Sequence, residues 1–140
     1  MRYSLSHYVF FATFVWLATG CEPKTKAIDL EWVGGYWEIA FVTHGNETFY
    51  PKKGGLPVWD FYQLNTQKGF RKKGQPGIQG RFQTSDIQNP FEIKRSEKGY
   101  SFVFTTDLDR WEEHLIYVDS IQLILEHHDK KYHYQRKKLK

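Results

Sequence analysis

Residues 121–136 read IQLILEHHDKKYHYQR, and this stretch decides the fold. Apolar side chains recur at every second position on either side of a polar tip, the period of two strands that each bury one face. A tight turn at Asp129 and Lys130 would join the strands and fix their register. His128 then opposes Lys131, His127 opposes Tyr132, Glu126 opposes His133, Leu125 opposes Tyr134, and Leu123 opposes Arg136. Ile121, Leu123, Leu125, Tyr132, Tyr134 and Arg136 share one face, which is apolar apart from a single guanidinium. An arginine turned inward needs an aromatic ring or an acceptor beside it.

The same period extends upstream. Trp37, Ile39 and Phe41 form one face of a strand over residues 36–42; Ile78, Gly80 and Phe82 do so over residues 78–83. Phe91 and Ile93 alternate with Glu92 and Lys94, and Tyr100, Phe102 and Phe104 with Ser101, Val103 and Thr105. Residues 58–64 and 113–118 alternate poorly, so their inner faces stay unassigned. Turn residues separate these segments: HGNE at 44–47, PKKGG at 51–55, GQPG at 74–77 and SEKG at 96–99. Short strands at such spacing indicate a sandwich or barrel. Aromatic residues make up 18% of the 140-residue chain, a composition suited to strands and excluding a disordered chain.

Two of these features resemble the closing latch of the lipocalin fold: the Gly-x-Trp of Gly35, Tyr36 and Trp37, and Arg136 on the last strand, positioned to pack across that Trp. The passage Tyr117, Val118, Ile121, Leu123, Leu125 and the final Tyr132, Tyr134, Arg136 are similar to the small lipocalin-like lipoproteins of Bacteroidota-type bacteria. The resemblance spans residues 28–137 and implies an all-β, up-and-down antiparallel barrel of about eight strands. Such a barrel is filled by side chains or holds one small ligand. Trp37, Phe41, Phe82, Phe91, Phe102, Phe104, Tyr132 and Tyr134 all read as inward and would occupy most of it, leaving a narrow pocket at most. Trp37, Phe82, Phe102, Phe104, Tyr134 and Arg136 are the candidate ligand contacts.

The N-terminus carries a targeting signal. Arg2 supplies positive charge, residues 8–17 (YVFFATFVWL) an apolar stretch, and Ala18, Thr19 and Gly20 small residues. The apolar stretch has about ten residues where a spanning helix needs about 20. Leu17 to Gly20 followed by Cys21 resemble the lipobox of bacterial lipoproteins, which makes Cys21, the only cysteine of the chain, the lipid-bearing residue. More than one acyl chain is needed for stable anchoring. The expected organisation is a signal peptide over residues 1–20, a lipidated tether over 21–33 ending in about one helical turn, a barrel over 34–137 and a basic tail over 138–140. Glu22 after the cysteine favours the outer membrane under an enterobacterial sorting rule.

The chemistry excluded is broad. No nucleophile motif, phosphate loop or dinucleotide fingerprint is present, and Glu112, Glu113 and His114 have no partner at acid–base spacing. His127, His128, Asp129 and His133 suit a solvated hairpin tip as well as a metal, and no metal or cofactor is assigned. The net charge of +4 comes without a basic helix, so nucleic acid is not an expected partner. The expectation is a monomeric, non-enzymatic, lipid-anchored envelope protein holding a small apolar or amphipathic ligand. The alternative is a filled barrel that binds an acidic protein or polysaccharide through basic loops at 50–57 (Lys52, Lys53) and 71–77 (Arg71, Lys72, Lys73).

Overall fold

The computed structural model describes residues 27–140; the expected signal peptide over 1–20, Cys21 and the tether up to residue 26 lie outside the described residues. Ten strands follow one another: β1 (Gly35–His44), β2 (Glu47–Phe49), β3 (Trp59–Asn65), β4 (Lys68–Pro76), β5 (Phe82–Thr84), β6 (Asn89–Ser96), β7 (Gly99–Thr105), β8 (Arg110–Val118), β9 (Gln122–His127) and β10 (Lys130–Lys137). All pairings are antiparallel. β1 is bonded to β3 on one side and to β10 on the other, so β1, β3, β4, β6, β7, β8, β9 and β10 close into an eight-stranded up-and-down barrel. β2 and β5 are short additions that pair with β1 and β4.

One end of the barrel is shut. Asp29 caps a single 3-10 turn, Leu30–Trp32, its side chain accepting from the amide of Glu31 at 3.0 Å. The chain then enters β1, and the indole of Trp37 donates to the carbonyl of Val33 at 2.9 Å. The Arg136 guanidinium lies 4.1 Å from the Trp37 ring centroid and donates to the carbonyl of Gly34 at 2.8 Å and to that of Trp32. Gly35 is confined to glycine by its φ of 122° and by space: a Cβ there would sit 2.6 Å from Nη1 of Arg136. The latch implied by the resemblance is therefore present, and its cation is partnered as an inward arginine requires.

Above the latch the core is aromatic. Trp37, Tyr62, Phe102 and Phe104 are fully buried with Leu123 and Leu125. Phe91 stacks on Phe102 at 5.0 Å, and Phe104 lies nearly parallel to Trp111 at 4.7 Å. Such pairs add about 0.5–1.5 kcal/mol each beyond the area they bury.

Several expectations need correcting. The last hairpin turns at His128 and Asp129, one residue earlier than the sequence suggests; both adopt positive φ, 47° and 60°, as a two-residue turn matched to strand twist requires. Every pair shifts by two residues: Leu125 meets Tyr132, Ile124 meets His133 and Leu123 meets Tyr134. An even shift preserves the faces, so Leu123, Leu125 and Tyr134 are buried, whereas Ile121 falls before β9 and is exposed.

Phe41 does not join Trp37 and Ile39. A bulge at Ala40 reverses the alternation, and Phe41 stacks outside on His133 at 4.2 Å. Nor is there a strand over residues 78–83. The Gly77 amide donates to the carbonyl of Arg81 at 2.6 Å, Gln79 and Gly80 take positive φ, and Ile78 is exposed. Phe82 follows on β5 and packs on the outer wall against Tyr36 at 4.9 Å and Phe61 at 6.4 Å. Gly74 belongs to β4 and is no turn residue: its bare Cα admits the Phe82 ring, which a Cβ would meet at 2.6 Å. On β7, Ser101 and Val103 face outward yet are buried, Ser101 in hydrogen bond with His114 at 2.8 Å.

Candidate functional site

The two segments that resisted assignment carry charge into the barrel. On β3 the inward residues are Asp60 and Tyr62, and across the β3–β4 hairpin they face Lys73 and Arg71. On β8 the inward residues are Trp111, Glu113 and Leu115, before a bulge at Ile116. Asp60, Arg71 and Glu113 are all buried.

Arg71 organises the group. Its Nη1 donates to both oxygens of Glu113 at 3.0 Å and to the Tyr62 hydroxyl at 3.2 Å, and its guanidinium lies 4.4 Å from the Phe104 ring. Glu113 also accepts from the Trp111 indole at 2.9 Å, and Asp60 accepts from Lys73 at 2.8 Å. Burial works against the Arg71 charge, but its contact with the Tyr62 hydroxyl and the negative charges of Glu113 and Asp60 outweigh it and hold the guanidinium charged above its ordinary range. Burial likewise pushes the hydroxyls of Tyr62 and Tyr134 well above the usual phenol value, so both stay protonated.

A cavity of about 180 Å³ opens beside this group, lined by Ile39, Arg71, Lys73, Glu113, His127, Tyr132 and Tyr134. It lies at the end opposite the latch, where the β9–β10 tip and the start of β8 meet. Hydrogen-bonding capacity around it is lopsided. Each carboxylate already accepts from protein donors, yet Nε of Arg71 is buried with no partner, and the Tyr134 hydroxyl makes no hydrogen bond among the described residues. Unspent capacity in the cavity wall is therefore mainly donor.

Beyond residue 38, β1 leaves β3 and next pairs with β2 over Val42–His44. Where the wall parts, Ile39 also borders an outer cleft of about 800 Å³ containing Phe41, Tyr50, Leu56, Pro57 and Val58.

Of the residues picked from sequence, Tyr134 lines this cavity, while Phe104 underlies Arg71 from within the core. Trp37 and Arg136 form the latch at the shut end, Phe102 is core, and Phe82 is on the outer wall. The supposed basic loop at 71–77 is strand for most of its length, with Arg71 inside and Lys73 tied to Asp60. The polar hairpin tip gathers no metal-ligand set: His127 contacts the carbonyl of Glu112 at 2.8 Å, while His133 lies outside against Phe41 and Thr43. Asp60 and Tyr62 were not singled out in the sequence, Arg71 and Lys73 were read as loop charges, and Glu113 was considered only as an acid–base group. Pairing Asp60 with Lys73 and Tyr62 with Arg71 across the Asn65–Lys68 turn was the signal available in the sequence.

A closed eight-stranded up-and-down barrel, latched at one end by Trp37 and Arg136 and open at the other to a small cavity, is a lipocalin-like barrel. Two solved structures resemble it. A lipocalin-like protein from Bacteroides uniformis shares 9% identity over 74% of this chain and 97% of its own, with a TM-score of 0.46. A protein described as uncharacterized, from Bacteroides eggerthii, shares 9% identity over 76% of this chain and 99% of its own, with a TM-score of 0.47. No protein-family model and no curated protein matches the sequence.

Proposed function

We infer that this chain is a non-catalytic, lipid-anchored protein of the cell envelope, seated at the outer membrane, that binds a small amphipathic molecule by its polar head at the barrel mouth. The observation that carries this reading is the buried, unpartnered Nε of Arg71, a residue that lines a cavity whose carboxylates are already satisfied. A head group rich in acceptors, such as a carboxylate, would complete the donors of Arg71, Lys73 and Tyr134. The cavity is smaller than the roughly 300–1,000 Å³ of ordinary ligand sites, which fits a head group with the apolar body leaving past Ile39 along the outer cleft.

The test is native mass spectrometry of the protein extracted from its own envelope, with and without added amphiphiles. One bound acidic amphiphile per chain, reduced by Tyr134→Phe, is the expected result; an empty chain under every condition refutes the reading. Anchoring is tested separately: Cys21→Ser should move the protein from the membrane fraction, or leave an unprocessed precursor, without lowering the stability of the barrel.

A further inference from the structure

The C-terminal lysines border a pocket on the outside of the barrel. After β10 the chain runs along the wall until the Lys140 backbone comes against Gly80. Between this segment and the wall lies a space of about 640 Å³, bounded by Trp59, Pro76, Gln79 and Gly80 on one side and by Lys137 to Lys140 on the other. It faces away from the barrel interior: Trp59 alternates with the inward Asp60 and packs against the outward Tyr36 at 6.2 Å.

Three observations converge there. No acidic side chain lines the pocket, and while Lys137 is bridged to Glu38, neither Lys138 nor Lys140 has a carboxylate partner among the described residues. Trp59 is 9% exposed, yet its indole nitrogen is buried with no acceptor, an unmet donor of a kind rare in folded proteins. The volume matches an organic molecule and exceeds what an inorganic anion fills.

We propose that this pocket is a second binding site, distinct from the barrel mouth, for an anionic sugar. Lys138 and Lys140 hold the acidic group, the Gln79 amide meets ring oxygens, and Pro76, Leu139 and the Trp59 ring cover the apolar ring faces. Gly80 keeps the pocket assembled, because at its φ of 71° a Cβ would collide with the Lys140 carbonyl.

The full-length chain is titrated with glucuronate, glucose 6-phosphate, glucose and inorganic phosphate while the indole N–H resonance of Trp59, assigned through Trp59→Phe, is followed by NMR. One or both acidic sugars should shift that resonance saturably; glucose and inorganic phosphate should bind at least about tenfold more weakly. The paired charge reversal Lys138→Glu with Lys140→Glu, both exposed, should weaken binding about tenfold or more. Gly80→Ala should weaken it as well by displacing the tail. The proposal is overturned if no sugar shifts the resonance, if inorganic phosphate binds as tightly as the acidic sugars, or if the charge reversal leaves affinity unchanged. Tyr134→Phe should leave this binding intact, which separates the site from the mouth.

Discussion

Arg136 closes the barrel with one side chain, stacking on Trp37 and donating to two carbonyls that the entering chain leaves open. Arg136→Met keeps the stem but removes the fork and the charge, and should cost about 3 kcal/mol in urea unfolding, from a cation–π contact and two charge-assisted hydrogen bonds. A loss below about 1 kcal/mol would mean the latch is ornamental. His133 gives a residue-scale pH dependence. Burial, then the nearby Lys131, lowers its folded value below the ordinary 6.5. The unfolded chain therefore takes up the proton first as pH falls, and stability present above about pH 6.5 drains away through the lowered folded value. Unfolding measured between pH 7 and 5 should show a shallower acid slope for His133→Gln than for the parent.

Elements carry the registers, and the β9–β10 hairpin states its own test. His128 and Asp129 both occupy positive φ, a conformation that Asn and Gly adopt at less cost. The pair His128→Asn with Asp129→Gly should raise stability by about 1 kcal/mol in urea unfolding with no change in fold; destabilisation would show that the histidine contributes something the turn geometry omits. This hairpin also shows what sequence can deliver. Period-two patterning placed Leu123, Leu125 and Tyr134 on the inner face correctly even with the turn misplaced, since a two-residue slip leaves faces unchanged. Patterning failed at Phe41 and Phe82 for physical reasons: a bulge adds a residue invisible to the period, and an outer wall covered by aromatic neighbours accepts apolar side chains as a core does. It failed again at Asp60 and Glu113, because an inward carboxylate breaks the apolar rhythm that identifies a strand's inner face.

For the whole molecule, the division of the barrel into a dry aromatic end and a charged mouth is the central feature. Arg71 and Glu113 join β4 to β8 across the interior, so removing one partner leaves the other as a buried charge without its counter-ion. Arg71→Met or Glu113→Leu alone should each cost about 3–5 kcal/mol, while the double replacement should recover most of that loss. Additive single losses in thermal unfolding would show that the two charges do not act as a pair. The most direct measurement is calorimetric titration of the intact protein with a medium-chain carboxylate and the alcohol of equal chain length, repeated on Tyr134→Phe. The account predicts one site that prefers the carboxylate by about tenfold or more and loses much of that preference in the variant. Equal affinity for acid and alcohol, or a preference untouched by Tyr134→Phe, would contradict it.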